Sequence, residues 1–223
     1  MSESIKRHLP YIIIAIVFVA LVGVFVWKSN TDEALFDWTS PEGLELTADE
    51  KASYQTVIEQ VKSDPADFRS LITLGNLRNK GGDPDGAIAL YQKAIEVNPN
   101  DSVARNNLAE VYVSLGEYVK AEDQYLRIIE LTPRWTEAYR DLVELYRYKL
   151  AEKKGQVPTI ITQAIMNNPE NEVEFQSTLG RFYWEEKDWS KALATYQRLQ
   201  QLLPDDPLVS EDIATILREQ SSQ

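Results

Sequence analysis

With 223 residues, 23 Lys+Arg against 35 Asp+Glu and a net charge of −12, the chain has length for one or two ordinary domains and carries no basic block. Non-specific nucleic-acid binding requires clustered cations that release counterions, so nucleic acid is excluded as an expected partner. The absence of Cys removes disulfides, thiolate nucleophiles and thiolate metal sites together, and the only His is His8.

The first predicted element is the uncharged run YIIIAIVFVALVGVFVW over residues 11–27. Its about 17 residues reach about 25 Å as a helix, near the lower limit for crossing a bilayer core. Tyr11 and Trp27 stand at its ends, where amphipathic rings favour the headgroup level. A cleaved secretory signal is the alternative, but no small-x-small cleavage site precedes Lys28. Lys6 and Arg7 precede the run, while Lys28 alone follows it before the acidic TDEALFD. The positive-inside rule then expects residues 1–10 in the cytoplasm and residues 28–223 outside it. The expected location is a bacterial cytoplasmic (inner) membrane, single-pass, with the N-terminus in.

Residues 28–46 read as a tether, with Ser-Pro-Glu-Gly as turn chemistry. Thr47-Ala48-Asp49-Glu50 fits a capping box, which predicts a capping helix over 47–64. Then comes a repeat. Pro65, Pro99, Pro133, Pro169 and Pro204 are spaced 34, 34, 36 and 35 residues apart, a period that predicts stacked two-helix units rather than one folded core. In register with the prolines, Leu74-Gly75, Leu108-Ala109 and Leu179-Gly180 mark first helices. Ala87 with Tyr91, Ala121 with Tyr125 and Ala192 with Tyr196 mark second helices. Gly and Ala allow two helix axes to approach, each Pro stops a second helix, and the Tyr rings are expected to fill the gap toward the neighbouring unit. Asp83 and Pro84 fit an N-cap and a first helical position. The unit from Thr136 departs, with Val143 at the small position and extra residues in RYKLAEKKGQVPT; a longer first helix is expected there, with the second starting near Pro158. Residues 207–223 carry an apolar stripe that predicts a rear cap.

This pattern over residues 68–206 resembles the tetratricopeptide repeat (TPR) family. The expected fold is all-α: a TPR α-solenoid of antiparallel helix hairpins, preceded by one transmembrane helix. An enzyme would need a nucleophile–base pair, a metal cluster or a phosphate loop. The chain beyond residue 27 has no His, no Cys, no Gly-x-Ser-x-Gly and no Walker sequence, so neither catalysis nor a cofactor is expected.

The resemblance implies a groove lined by first-helix residues. Carried onto this chain, its candidate peptide-binding residues are Asn76, Asn79, Asn106, Asn107, Arg140, Arg147, Arg181 and Trp184. Amides both donate and accept, which suits an extended peptide backbone; guanidinium forks suit a carboxylate; an indole offers a flat anchor. The inferred groove sets Arg69, Lys80, Arg140, Arg147 and Arg181 against Glu110, Glu137, Glu144, Glu174 and Glu185, a balance of charge. Ile72, Glu137 and Asp141 occupy the cationic positions of the clamp that some TPR domains use for acidic chaperone tails, so that subtype is not expected. The implied function is a membrane-anchored interaction module that binds extended segments or tails of partner proteins in envelope assembly or export. The layout is similar to TPR subunits that accompany the secretion translocon or present apocytochromes. The alternative is a structural scaffold or oligomerisation subunit of a membrane complex, binding through convex or capping surfaces. Expected partners are proteins or peptides, the membrane through the N-terminal helix, and further copies of the chain in a homo-oligomer.

Overall fold

The computed structural model describes residues 40–222. Ten α-helices follow one another: α1 (Ala48–Ser63), α2 (Phe68–Lys80), α3 (Pro84–Val97), α4 (Ser102–Ser114), α5 (Tyr118–Leu131), α6 (Thr136–Tyr148), α7 (Val157–Asn167), α8 (Glu172–Glu185), α9 (Trp189–Leu202) and α10 (Pro207–Ser221). Each packs on its neighbours in the chain, and α2 also touches α4. Four hairpins result, α2–α3, α4–α5, α6–α7 and α8–α9, with α1 at the front and α10 at the rear.

Local chemistry sets the boundaries. Thr47 Oγ1 accepts from the Glu50 amide while the Glu50 carboxylate accepts from the Thr47 amide at 2.9 Å, closing a capping box on α1. Asp67, Asp83, Asp101, Asp188 and Asp206 cap α2, α3, α4, α9 and α10 through their carboxylates. Each second helix, and α1 with them, ends on the residue before a proline, with φ between −137° and −130°. Proline's ring bars its predecessor from the helical region, so chain direction changes at the same point in each unit.

Packing follows from the small residues. Ala87, Ala121 and Ala192 are fully buried in second helices, and Gly75 and Gly180 lie in the first helices opposite them. A Cβ on Gly75 would stand 2.6 Å from Cε1 of Tyr91, and one on Gly180 would stand 2.8 Å from Cε2 of Tyr196. These rings rest on the glycine of their own hairpin, while their hydroxyls reach toward the next helix, that of Tyr91 toward Asn107 and that of Tyr196 toward Asp212. The shared core runs from Leu44 to Phe182. Trp189, Ala192 and Ile216 make a smaller rear cluster, and Tyr183 packs against both.

The third hairpin differs. Its first helix is no longer than α2 or α4, at 13 residues each. The extra residues instead form a 3₁₀ helix, Ala151–Gln156, ahead of α7. Buried Glu122 of α5 holds this insert in place: it accepts from the Tyr146 hydroxyl at 2.5 Å and pairs with Lys153. Val143 and Ile161, both buried, occupy the places that Gly and Tyr take elsewhere.

No helix among the described residues is long and apolar enough to cross a membrane. Among the described residues the fold is the all-α hairpin solenoid, with no transmembrane helix, which corrects the expected architecture. The span expected over residues 11–27 lies outside the described residues. That expectation rested on an uncharged apolar run, at the lower margin of length for a bilayer core, with Tyr11 and Trp27 at its ends. Single-pass anchoring, N-in orientation, inner-membrane location and the membrane as a partner all depended on it, and they are withdrawn together.

Candidate functional site

First helices of successive hairpins lie side by side, and side chains bridge them. Asn76 on α2 lies next to Asn107 on α4: its Oδ1 accepts both the Tyr91 hydroxyl at 2.7 Å and Nδ2 of Asn107 at 2.8 Å. Arg140 on α6 reaches Glu174 on α8 with two nitrogens, the Nη2 contact measuring 2.9 Å. Arg147, only 7% exposed, donates from Nη2 to both oxygens of Glu185 at 2.8 and 2.7 Å and from Nη1 to Glu144 at 3.0 Å. Its guanidinium also lies 4.8 Å from the Tyr148 ring centroid. This row of bridges defines the first-helix face.

The remaining candidates are dispersed along that face. Asn106 donates to Glu110 Oε1 at 2.6 Å. Asn79 is exposed in the last turn of α2. Arg181 is exposed and has no ion-pair partner among the described residues. Trp184 is half-buried, with the Trp189 and Tyr196 rings both 6.1 Å away in edge contacts. The structure thus brings Asn76 to Asn107 and sets Arg140 and Arg147 on α8 carboxylates, while Asn79, Arg181 and Trp184 stay apart.

The balance of charge counted from sequence changes once partners are assigned. Lys80 pairs with Glu50 of α1, where that contact and the Thr47 cap hold the Glu50 carboxyl down at about 2. Arg140 and Arg147 are held by glutamates. Glu110 and Asp141 have no cationic partner among the described residues. Asp141 is half-buried; burial first, and then Glu110 and Glu137, push its carboxyl up to about 6. Burial, then Asp141, then Glu110 also push the Tyr125 phenol up. Sequence reasoning placed Glu110 in the groove, Asp141 at a clamp position and Tyr125 on a second helix, but made none of the three a binding candidate. The available signal was their spacing of 34 residues from Asn76, Asn107 and Tyr91.

The described residues form an all-helical hairpin scaffold; the chain has no cysteine, and among the described residues no group of side chains could hold a metal. Residues 80–146 and 178–206 match family models described as tetratricopeptide repeat. Tetratricopeptide repeat protein 28 of Mus musculus is 29% identical over 89 residues, covering 38% of this chain and 4% of its own length. The chain therefore spans a small fraction of that curated relative. The crystal structure of YrrB, "a TPR protein with an unusual peptide-binding site", shares the fold at TM-score 0.55 and 17% identity, over 75% of this chain and 84% of that one. The C-terminal part of a TPR repeat-containing protein from Cytophaga hutchinsonii does so at TM-score 0.59 and 18% identity, over 74% of this chain and 67% of the other. Identities this low carry the fold alone. The envelope-assembly and export role inferred from layout rested on the membrane span, and it is withdrawn with it.

Proposed function

We propose that the chain is a protein-interaction scaffold whose hairpin stack holds segments of partner proteins along the first-helix face. One observation supports this reading: the first-helix face carries ordered polar side chains, bridged from α2 to α4 and from α6 to α8. Asn76–Asn107, Arg140–Glu174 and Arg147–Glu185 fix that row in place, and ordered polar groups lose less entropy on binding than free ones. Arg181 and Asn79 remain open to a partner. A second reading, contact through the rear cap, is favoured by Leu208 and Leu217 of α10, which are exposed.

Photo-crosslinking residues placed in the full chain test both. Asn79 and Arg181 report on the first-helix face, Leu208 and Leu217 on the cap, and Lys93 and Arg127 on the exposed second helices. Protein adducts concentrated at Asn79 and Arg181 are expected. Adducts concentrated at Leu208 and Leu217 would move the contact to the cap, and an even spread over all three sets would sink docking on either surface.

A further inference from the structure

We infer that the third hairpin is a salt-sensitive joint: α7 and the 3₁₀ insert before it undock as a unit while the hairpins on either side stay folded. Three observations meet there. Side-chain oxygens cap the starts of α1–α4, α9 and α10. By contrast α5, α6, α7 and α8 begin with no side-chain cap bond, so the contact that normally secures a first turn is missing throughout this region. The ring-on-glycine contact of the first and fourth hairpins is missing too, with Val143 and Ile161 in its place. At 11 residues α7 is also shorter than the other second helices, and 3₁₀ turns, Ala151–Gln156 and Pro169–Asn171, bound it on both sides.

Charge stands where those contacts are absent. The first two hairpins join through neutral groups, Asn76 with Asn107 and Gln92 with Tyr112. The third hairpin is instead tied to α8 and its C-cap by Arg140–Glu174, Arg147–Glu185 and Lys154–Glu186. Lys153 ties the insert back to α5 through Glu122, which is only 3% exposed. Salt screens such pairs, the exposed ones most, whereas it leaves caps and ring packing largely alone. Losing Lys153 would leave Glu122 a buried charge with the Tyr146 hydroxyl as its one remaining partner. Where each unit touches only its neighbours, one hairpin can open while the rest hold. Opening here alters the offset between α6 and α8, and with it the curvature of the face they share. The joint involves no partner, so it stands or falls separately from docking.

Hydrogen exchange of the full chain, read by mass spectrometry helix by helix, tests the joint. From about 10 mM to about 1 M sodium chloride the screening length falls from about 30 Å to about 3 Å. Exchange over residues 157–167 is expected to outpace that of α3 and α9 at low salt. High salt should speed it at least about threefold further, while α3 and α9 change less than about twofold. Lys153→Met keeps the apolar stem and should speed α7 at least about tenfold. Adding Glu122→Gln should recover most of that loss, because no buried charge is then left unpaired. An equal salt response in α3, α7 and α9 would overturn the joint, and so would unchanged α7 exchange in Lys153→Met. Should Lys153→Met alone fail to fold, the salt series on the parent chain decides by the same criterion.

Discussion

Two sets of three residues stand 34 positions apart and occupy equivalent places in successive hairpins: Asn76, Tyr91 and Asn107 in one, Glu110, Tyr125 and Asp141 in the other. The first set closes on itself. Asn76 accepts from the tyrosine and from the second amide, so the polar groups are spent internally. No hydrogen bond joins the second set, and its two carboxylates, which only accept when ionised, cannot bridge one another as the two amides do. The same backbone register thus yields a structural brace in one hairpin and three side chains with no hydrogen bond among them in the next. On a repeat scaffold, the identity of two side chains decides whether a position stabilises the stack or remains available to a partner. One unit further on, Glu144 and Ile161 stand in these places, and with no phenol the pattern ends.

The comparison breaks most readily at the glycine beneath the closed set. In Gly75→Ala the new methyl would meet the Tyr91 ring at 2.6 Å, and that ring is 1% exposed with its hydroxyl tied to Asn76. Relief requires moving the ring and loosening the brace, so a loss of about 2–3 kcal/mol is expected. Thermal unfolding should show a midpoint lower by about 5–10 °C. A change of under about one degree would mean the ring is not locked.

A smaller effect sharpens the contrast. Asn76→Ala leaves the Tyr91 hydroxyl and the Asn107 amide without their shared acceptor and should cost about 1–2 kcal/mol. Glu110→Ala, at the equivalent place, removes only an acceptor of the Asn106 amide. Its effect should stay within about 0.5 kcal/mol. Chemical denaturation of both variants measures the difference, and equal costs would show that the two sets are alike after all.

Much of the stack was legible because its determinants are local or periodic. Proline spacing marks where second helices stop, and Thr47 with Glu50 or Asp83 with Pro84 mark starts within a few residues. The brace and the ion pairs were not legible in the same way. Asn76–Asn107, Arg140–Glu174 and Arg147–Glu185 join residues 31 to 38 positions apart, and whether such groups meet depends on how far adjacent first helices are offset. A residue's type and face can be read from periodicity; its partner cannot. That is why a groove that looked balanced in charge retains unpaired Glu110 and Asp141 in its middle. The 3₁₀ insert eluded prediction for a related reason, since only the fold brings Lys153 and Tyr146 to the buried Glu122. The membrane span has no counterpart among the described residues, and a short apolar run has more than one cause.

The smallest expected effect lies in the open set and concerns pH. Asp141 has its folded carboxyl raised from an ordinary value near 3.8 to about 6, by burial and by Glu110, Glu137 and Glu144, with Arg140 opposing. Between those values the folded chain holds more protons than the unfolded chain, so stability present below about pH 4 is lost as pH rises through about 6. Asp141→Asn removes this loss. Allowing for partial exposure to water, it should stabilise the chain by about 1 kcal/mol at neutral pH. Its advantage should vanish near pH 4. Parallel unfolding curves for parent and variant across that window measure the effect, and a difference that does not vary with pH would remove Asp141 from the account.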